Sequence, residues 1–278
     1  MLAHTSLLAH GAFVVACCVA LGLYGAAWLA SPRRSTVRLW SWTLGMVALA
    51  VSTAPTVERW AAASFTGHMV QHLLMIVVAA PLLVLARPVA TFAAHWSPGW
   101  LRSAVHRRTS AWWRRSGPLV APTVFLAVLY ITHLTGIYDA ALHSQPVHDL
   151  EHLAYVGAAC ALWAVVTAGG RASAAARVGA VFGVIGGSAL LGVVLLTAST
   201  PLVPTYAIEL GTDAAVDDQR AAASLMWVGG MAITLPLLIV AVWRWAAAEQ
   251  RIAERSEAAR DEAARRAVVG IVTPPGNS

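Results

Sequence analysis

The chain of 278 residues is 58% hydrophobic and only 12% charged, with a mean hydropathy of +0.67 and a formal net charge of +6. A soluble domain is about 45–50% apolar and about 25% charged, so this composition is that of an integral membrane protein and excludes a soluble globular domain, a disordered chain and a collagen. Cys17, Cys18 and Cys160 all lie in apolar runs, which excludes a disulfide scaffold and reads as small hydrophobes inside helices.

A bilayer core of about 30 Å takes about 20 apolar residues per helix. Seven stretches qualify, at 7–29, 39–57, 65–86, 119–138, 150–167, 178–198 and 223–246. The expected fold is all-α: seven transmembrane helices over residues 1–247, then a charged helical tail over 248–278 with a disordered end at 273–278. Arg33 and Arg34 follow the first apolar run, and no basic region precedes it, which suits an N-out anchor better than a cleaved signal peptide. The segment 87–118 carries Trp96, Trp100, Trp112 and Trp113 among its arginines and is expected to lie on the inner leaflet.

All 19 basic residues are arginines. With seven spans, all but Arg59 and Arg220 fall on one side, in 30–38, 87–118, 168–177 and from Arg244 onward. Positive charge marks the cytoplasmic side, so the N-terminus is expected outside and the C-terminus inside. The net charge is then topology, and no nucleic-acid partner is expected.

That orientation sorts the ten histidines. His95 and His106 fall inside, while His4, His10, His68, His72, His133, His143, His148 and His152 fall outside. In His68-Met69-Val70-Gln71-His72 the two imidazoles are four residues apart and share one helix face. The same spacing recurs in His148-Asp149-Leu150-Glu151-His152, and His133 reaches a similar depth from a third helix. Ionisable groups at membrane depth usually face the bundle interior, and imidazole suits copper, zinc and iron. His68, His72, His133, His148 and His152 are the candidate metal ligands. Met69 and Met226 are possible soft donors, with Met75 and Met231 nearby.

The run His68-Met69-Val70-Gln71-His72-Leu73-Leu74, followed by Ala80-Pro81-Leu82-Leu83-Val84-Leu85 and Pro88, closely resembles the signature of the seven-helix CtaG family of bacterial assembly factors for caa3-type cytochrome c oxidase. His133 with Tyr138-Asp139-Ala140-Ala141-Leu142 resembles the family's fourth-helix ending. His148-Asp149-Leu150-Glu151-His152 and Asp218-Gln219 with Met226-Trp227 resemble two further blocks. Ala222 and Ala223 stand where the family commonly has a glycine pair; alanine still allows close helix approach.

The resemblance implies a bacterial plasma-membrane protein that helps mature a copper-containing oxidase, with oxidase subunits and the lipid bilayer as partners. The expected role is non-enzymatic: holding or delivering copper at the outward histidine cluster, with Glu151, Asp139, Asp218 and Gln71 orienting the imidazoles. Three alternatives stand beside it: a haem-binding electron carrier, a metal-free scaffold, and a seven-helix zinc hydrolase. The hydrolase also needs a His-x3-His pair, but span seven holds no histidine and the cluster lies outside.

Overall fold

The computed structural model describes residues 7–31, 34–96, 99–167 and 174–272, with the backbone alone for much of 99–112. His4, Arg33, the side chains of Trp96, Trp100, His106 and Trp112, and the expected disordered end at 273–278 lie outside the described residues. The described residues form helices and no strand: α1 (Leu7–Leu29), α2 (Thr36–Ser52), α3 (Pro55–Ala63), α4 (Phe65–Leu73), a π-helical turn (Leu74–Ala79), α5 (Ala80–Leu85), α6 (Pro88–Trp96), α7 (Gly99–Leu134), α8 (Ile137–His143), α9 (Gln145–Thr167), α10 (Ala174–Thr197), α11 (Pro204–Leu210) and α12 (Thr212–Val272).

Among the described residues, five stretches are long and apolar enough to cross a membrane: His10–Leu29, Phe65–His95, Arg115–Leu134, Gln145–Thr167 and Ala175–Thr197. The bent pair Thr36–Ser52 and Pro55–Ala63 is a sixth if it counts as one span. The expected second span, 39–57, is therefore revised. The helix stops at Ser52 and restarts at Pro55 after a 50° bend. Proline disfavours helical backbone in the residue before it and suits the first turn of a new helix; Ala54 is accordingly extended, at φ −63° and ψ 143°. The expected fourth span, 119–138, is present as Arg115–Leu134; α7 ends at Leu134, so Tyr138 belongs to α8. The stretch 223–246 lies within the 61-residue α12, which runs unbroken into the charged tail.

Large apolar side chains face outward on most of the long helices, among them Val19, Leu44, Leu119, Leu153, Phe182 and Trp243. Soluble monomers rarely expose so much contiguous apolar surface; a bilayer is its natural solvent. The core joins α4, α7, α9, α10 and α12 through Phe65, Phe125, Tyr155, Trp163, Leu191 and Met226.

One tie positions the later site. Pro81 follows the π turn, and in π register its N–H would serve the carbonyl of Ile76. Proline has no N–H, and in a membrane that carbonyl must find another donor. The Trp163 indole supplies it, Nε1 donating to Ile76 O at 2.9 Å. The sequence Pro81…Trp163 thus fastens α9 to the helix that carries the first histidine pair. Farther along, Tyr24 of α1 donates to Ala86 O at 2.7 Å and stacks on Trp42.

Candidate metal centre

Helix α4 starts at Ser64, whose hydroxyl accepts from the Gly67 N–H at 3.0 Å. Gly67 is required by packing: a Cβ there would stand 2.6 Å from the Trp60 carbonyl oxygen. Its absence lets α3 lie directly against the first turn of α4. His68 and His72 then follow on the buried face, with Nε2 atoms 2.8 Å apart. Two nitrogens that share one zinc-sized ion at about 2.0–2.1 Å each stand roughly 3 Å apart.

Glu151 of α9 reaches this pair, with Oε2 3.8 Å from His68 Nε2. Neither Glu151 oxygen has a hydrogen-bond partner, although the residue is buried. His148 and His152, also on α9, turn their rings to each other with centroids 4.0 Å apart. His148 Nε2 lies 3.2 Å from Glu58 Oε2 of α3. Gln71 holds Glu58 in place, its Nε2 donating to Glu58 Oε1 and to Ser52 O, each at 2.8 Å.

Two sets of metal-ligating side chains result: His68, His72 and Glu151, and Glu58, His148 and His152. Within each set the donor atoms lie within 4.8 Å of one another. The buried His72 Nδ1 and His152 Nε2 have no hydrogen-bond partner, while His148 Nδ1 lies 3.6 Å from Asp149 Oδ1. Such groups are costly to bury unless something compensates them. A cation bound by imidazole and carboxylate would do so.

Two spaces adjoin the sets. A void of about 30 Å³ is bordered by Glu58, His68 and His148. A larger cavity of about 510 Å³ opens beside Glu58, His148 and His152 and is lined across from them by His10, Phe13 and Met75.

The structure thus brings His68, His72, His148 and His152 together, while His133 joins neither set. His133 Nδ1 donates to Leu129 O at 2.8 Å and lies 3.2 Å from the Tyr155 hydroxyl, so it meets the cluster through a tyrosine. Tyr155 packs on His72, and Tyr138 on His68, each with centroids 4.2 Å apart.

Asp139 and Asp218 do not orient imidazoles of the cluster as expected. Asp218 accepts from the Phe65 N–H and the Thr66 hydroxyl, both at 2.6 Å, at the start of α4. Asp139 accepts from the Thr205 N–H and hydroxyl at the start of α11. Each carboxylate satisfies a helix N-terminus instead, where donors point outward and the dipole favours negative charge. Met69 and Met226 pack in the apolar core, not among the imidazoles. His143 is exposed and bonds the Asp139 carbonyl.

Glu58 was not singled out from the sequence, where it falls just beyond the expected second span. The legible signal was Pro55, a helix-start residue with Glu58 in the turn that follows. Nearby, Tyr206 of α11 donates to Ala61 O at 2.6 Å, which closes α11 over α3. Burial pushes the Tyr206 hydroxyl well above its ordinary range, so it stays protonated and donates.

The family described as cytochrome c oxidase caa3 assembly factor (Caa3_CtaG) matches residues 22–248. The chain is 26% identical over 257 residues to "Uncharacterized protein Mb0105" of Mycobacterium bovis and to "Uncharacterized protein MT0111" of Mycobacterium tuberculosis, covering 84% of this chain and 38% of each of those proteins. It is 27% identical over 241 residues to "Uncharacterized protein ML1998" of Mycobacterium leprae, covering 79% of this chain and 36% of that one. The chain therefore spans less than two fifths of the length of these curated relatives. No solved structure matches it.

Proposed function

This chain belongs to the Caa3_CtaG family of cytochrome c oxidase caa3 assembly factors, and on that premise we propose that it holds copper at the histidine cluster and passes it to oxidase subunits during maturation. The protein acts without catalysing a reaction, in the bacterial plasma membrane. It has seven spans, with α3, α8 and α11 on the outer face beside the cluster.

The observation that carries this reading is the convergence of two His-x3-His pairs from α4 and α9 with two carboxylates, several of their buried atoms lacking hydrogen-bond partners. The donors are nitrogen and oxygen. Sulfur donors select Cu(I), whereas imidazole and carboxylate suit Cu(II) and zinc, so the cargo is held in the cupric state. A carrier must also release its ion, and the cavity beside His148 and His152 gives a path out.

The test is metal analysis of the purified full chain after exposure to Cu(II), alongside His68→Ala/His72→Ala. Copper should bind the parent and fall in the variant, with no Soret band in the visible spectrum. In cells, His72→Ala/His152→Ala should lower oxidase activity and oxidase copper while the protein's own abundance holds. Normal oxidase copper in that stable variant would overturn the delivery role.

A further inference from the structure

We propose that the cluster holds two metal ions at once, one in each set of three ligands; this rests on the metal-holding role and extends it. The two sets are built alike. Each takes a His-x3-His pair from one helix and a single glutamate from another element: His68 and His72 of α4 with Glu151 of α9, and His148 and His152 of α9 with Glu58 of α3. Two histidines and one carboxylate form a complete protein ligand set for a transition metal, with positions left for water or cargo exchange.

Three observations separate the sets. Ring centroids within each pair lie 4.1 Å and 4.0 Å apart, but His68 and His72 stand 6.4 Å and 5.5 Å from His152. Glu151 lies between His148 and His152 in sequence, yet it serves the α4 pair, while the α9 pair takes its carboxylate from α3. Finally, the void bordered by Glu58, His68 and His148 lies against members of both sets and measures about 30 Å³. A water needs about 10–15 Å³ on this measure, so the void has room for a bridging water or hydroxide.

Charge points the same way. A buried doubly charged ion needs local negative charge, and each set supplies one carboxylate. Access differs, however. His68, His72 and Glu151 are sealed at 1%, 3% and 3% exposure, while the second set opens onto the cavity lined by His10 and Met75. The outer set therefore exchanges first and the inner set retains its ion.

The experiment counts ions on the intact, detergent-purified chain. Stripped protein is reloaded with Cu(II) and, separately, with Zn(II), desalted and measured by mass spectrometry of the metal against protein. Two ions are expected in the parent and one in Glu58→Gln, which changes a single ligand atom with little change of shape. His68→Ala should also retain one ion, and it should exchange with free metal faster than the parent's more slowly exchanging ion does. Thermal melting checks that each variant is folded. One ion in the parent overturns the two-ion proposal and leaves the metal-holding role standing; none with either metal overturns both. Two zinc ions with no copper would support the paired sites and remove copper as the cargo. Two ions in parent and Glu58→Gln alike would place the second ion elsewhere and overturn the assignment.

Discussion

Asp218 sits 150 residues beyond His68, which opens the histidine pair it helps position, and it does so through backbone. Its carboxylate accepts from the Phe65 N–H and the Thr66 hydroxyl, so a negative charge rests on the positive end of α4. Loss of a side-chain cap costs about 0.5–2 kcal/mol, and hydrogen bonds to a charged group stand toward the upper part of that range. Asp218→Ala should therefore lower the melting temperature of the purified protein by several degrees. Metal bound per folded chain should stay at the parent value, because the carboxylate touches no imidazole. A variant that melts normally but binds less metal would place Asp218 at the ion. From sequence alone the two roles look the same: an acid next to a buried glutamine fits either one. Gln219 proves to be another tie, donating to Leu195 O at 3.0 Å and accepting from the Leu202 N–H at 2.8 Å.

At the scale of elements, α3, α4 and α9 make the site, and two small features hold them at the required spacing. Gly67 leaves no Cβ against the Trp60 carbonyl. Gly67→Ala should push α3 off α4, carry Glu58 away from His148 and weaken metal binding, while His68 and His72 keep their i,i+4 geometry. Loss of only the outer ion in this variant, counted by metal analysis, is the expected signature. Trp163→Phe should act differently. It keeps most of the packing but leaves the Ile76 carbonyl unpaired in an apolar setting, at a cost of about 1–3 kcal/mol, so membrane abundance and melting temperature should both fall. The histidine pairs were legible because a four-residue spacing on a helix fixes a shared face whatever surrounds it. The expected second span runs past Pro55 to Val57, so the bend there, and with it the place of Glu58, was missed although proline marks a helix start. The direction of Glu151 was hidden. Spacing puts it close to its own histidines, and only packing against α4 turns it to the other pair. His133 reads as a ligand by depth, but Tyr155 occupies the space between.

For the whole molecule, the decisive question is which face of the membrane carries the cluster. The short helices α3, α8 and α11 gather at one end of the bundle: Tyr206 of α11 bonds Ala61 of α3, and Asp139 of α8 holds the start of α11. The starts of α4, α9 and α12 meet the same end through Asp218 and the cluster. Only Arg59 and Arg220 fall in this part of the sequence, and the remaining arginines of the 19 fall in segments assigned to the other side. The long α12 reinforces that polarity. Its 61 residues span about 90 Å, three times a bilayer core of about 30 Å. In the proposed seven-span arrangement it starts at the cluster end and leaves the membrane on the opposite face, on the segment where Arg251, Arg255, Arg260 and Arg265 stand exposed. By the positive-inside rule that face is the cytoplasmic one in the proposed orientation. Reporter fusions after Arg115 and after Arg266 should therefore read as cytoplasmic, and one at Glu209 as external. The Glu209 fusion is the sharpest arm, since α11 is tied directly to α3 and so to Glu58. A cytoplasmic signal there would turn the cluster to face the cell interior, and the proposed cargo would then have to enter from the cytoplasm instead of from outside.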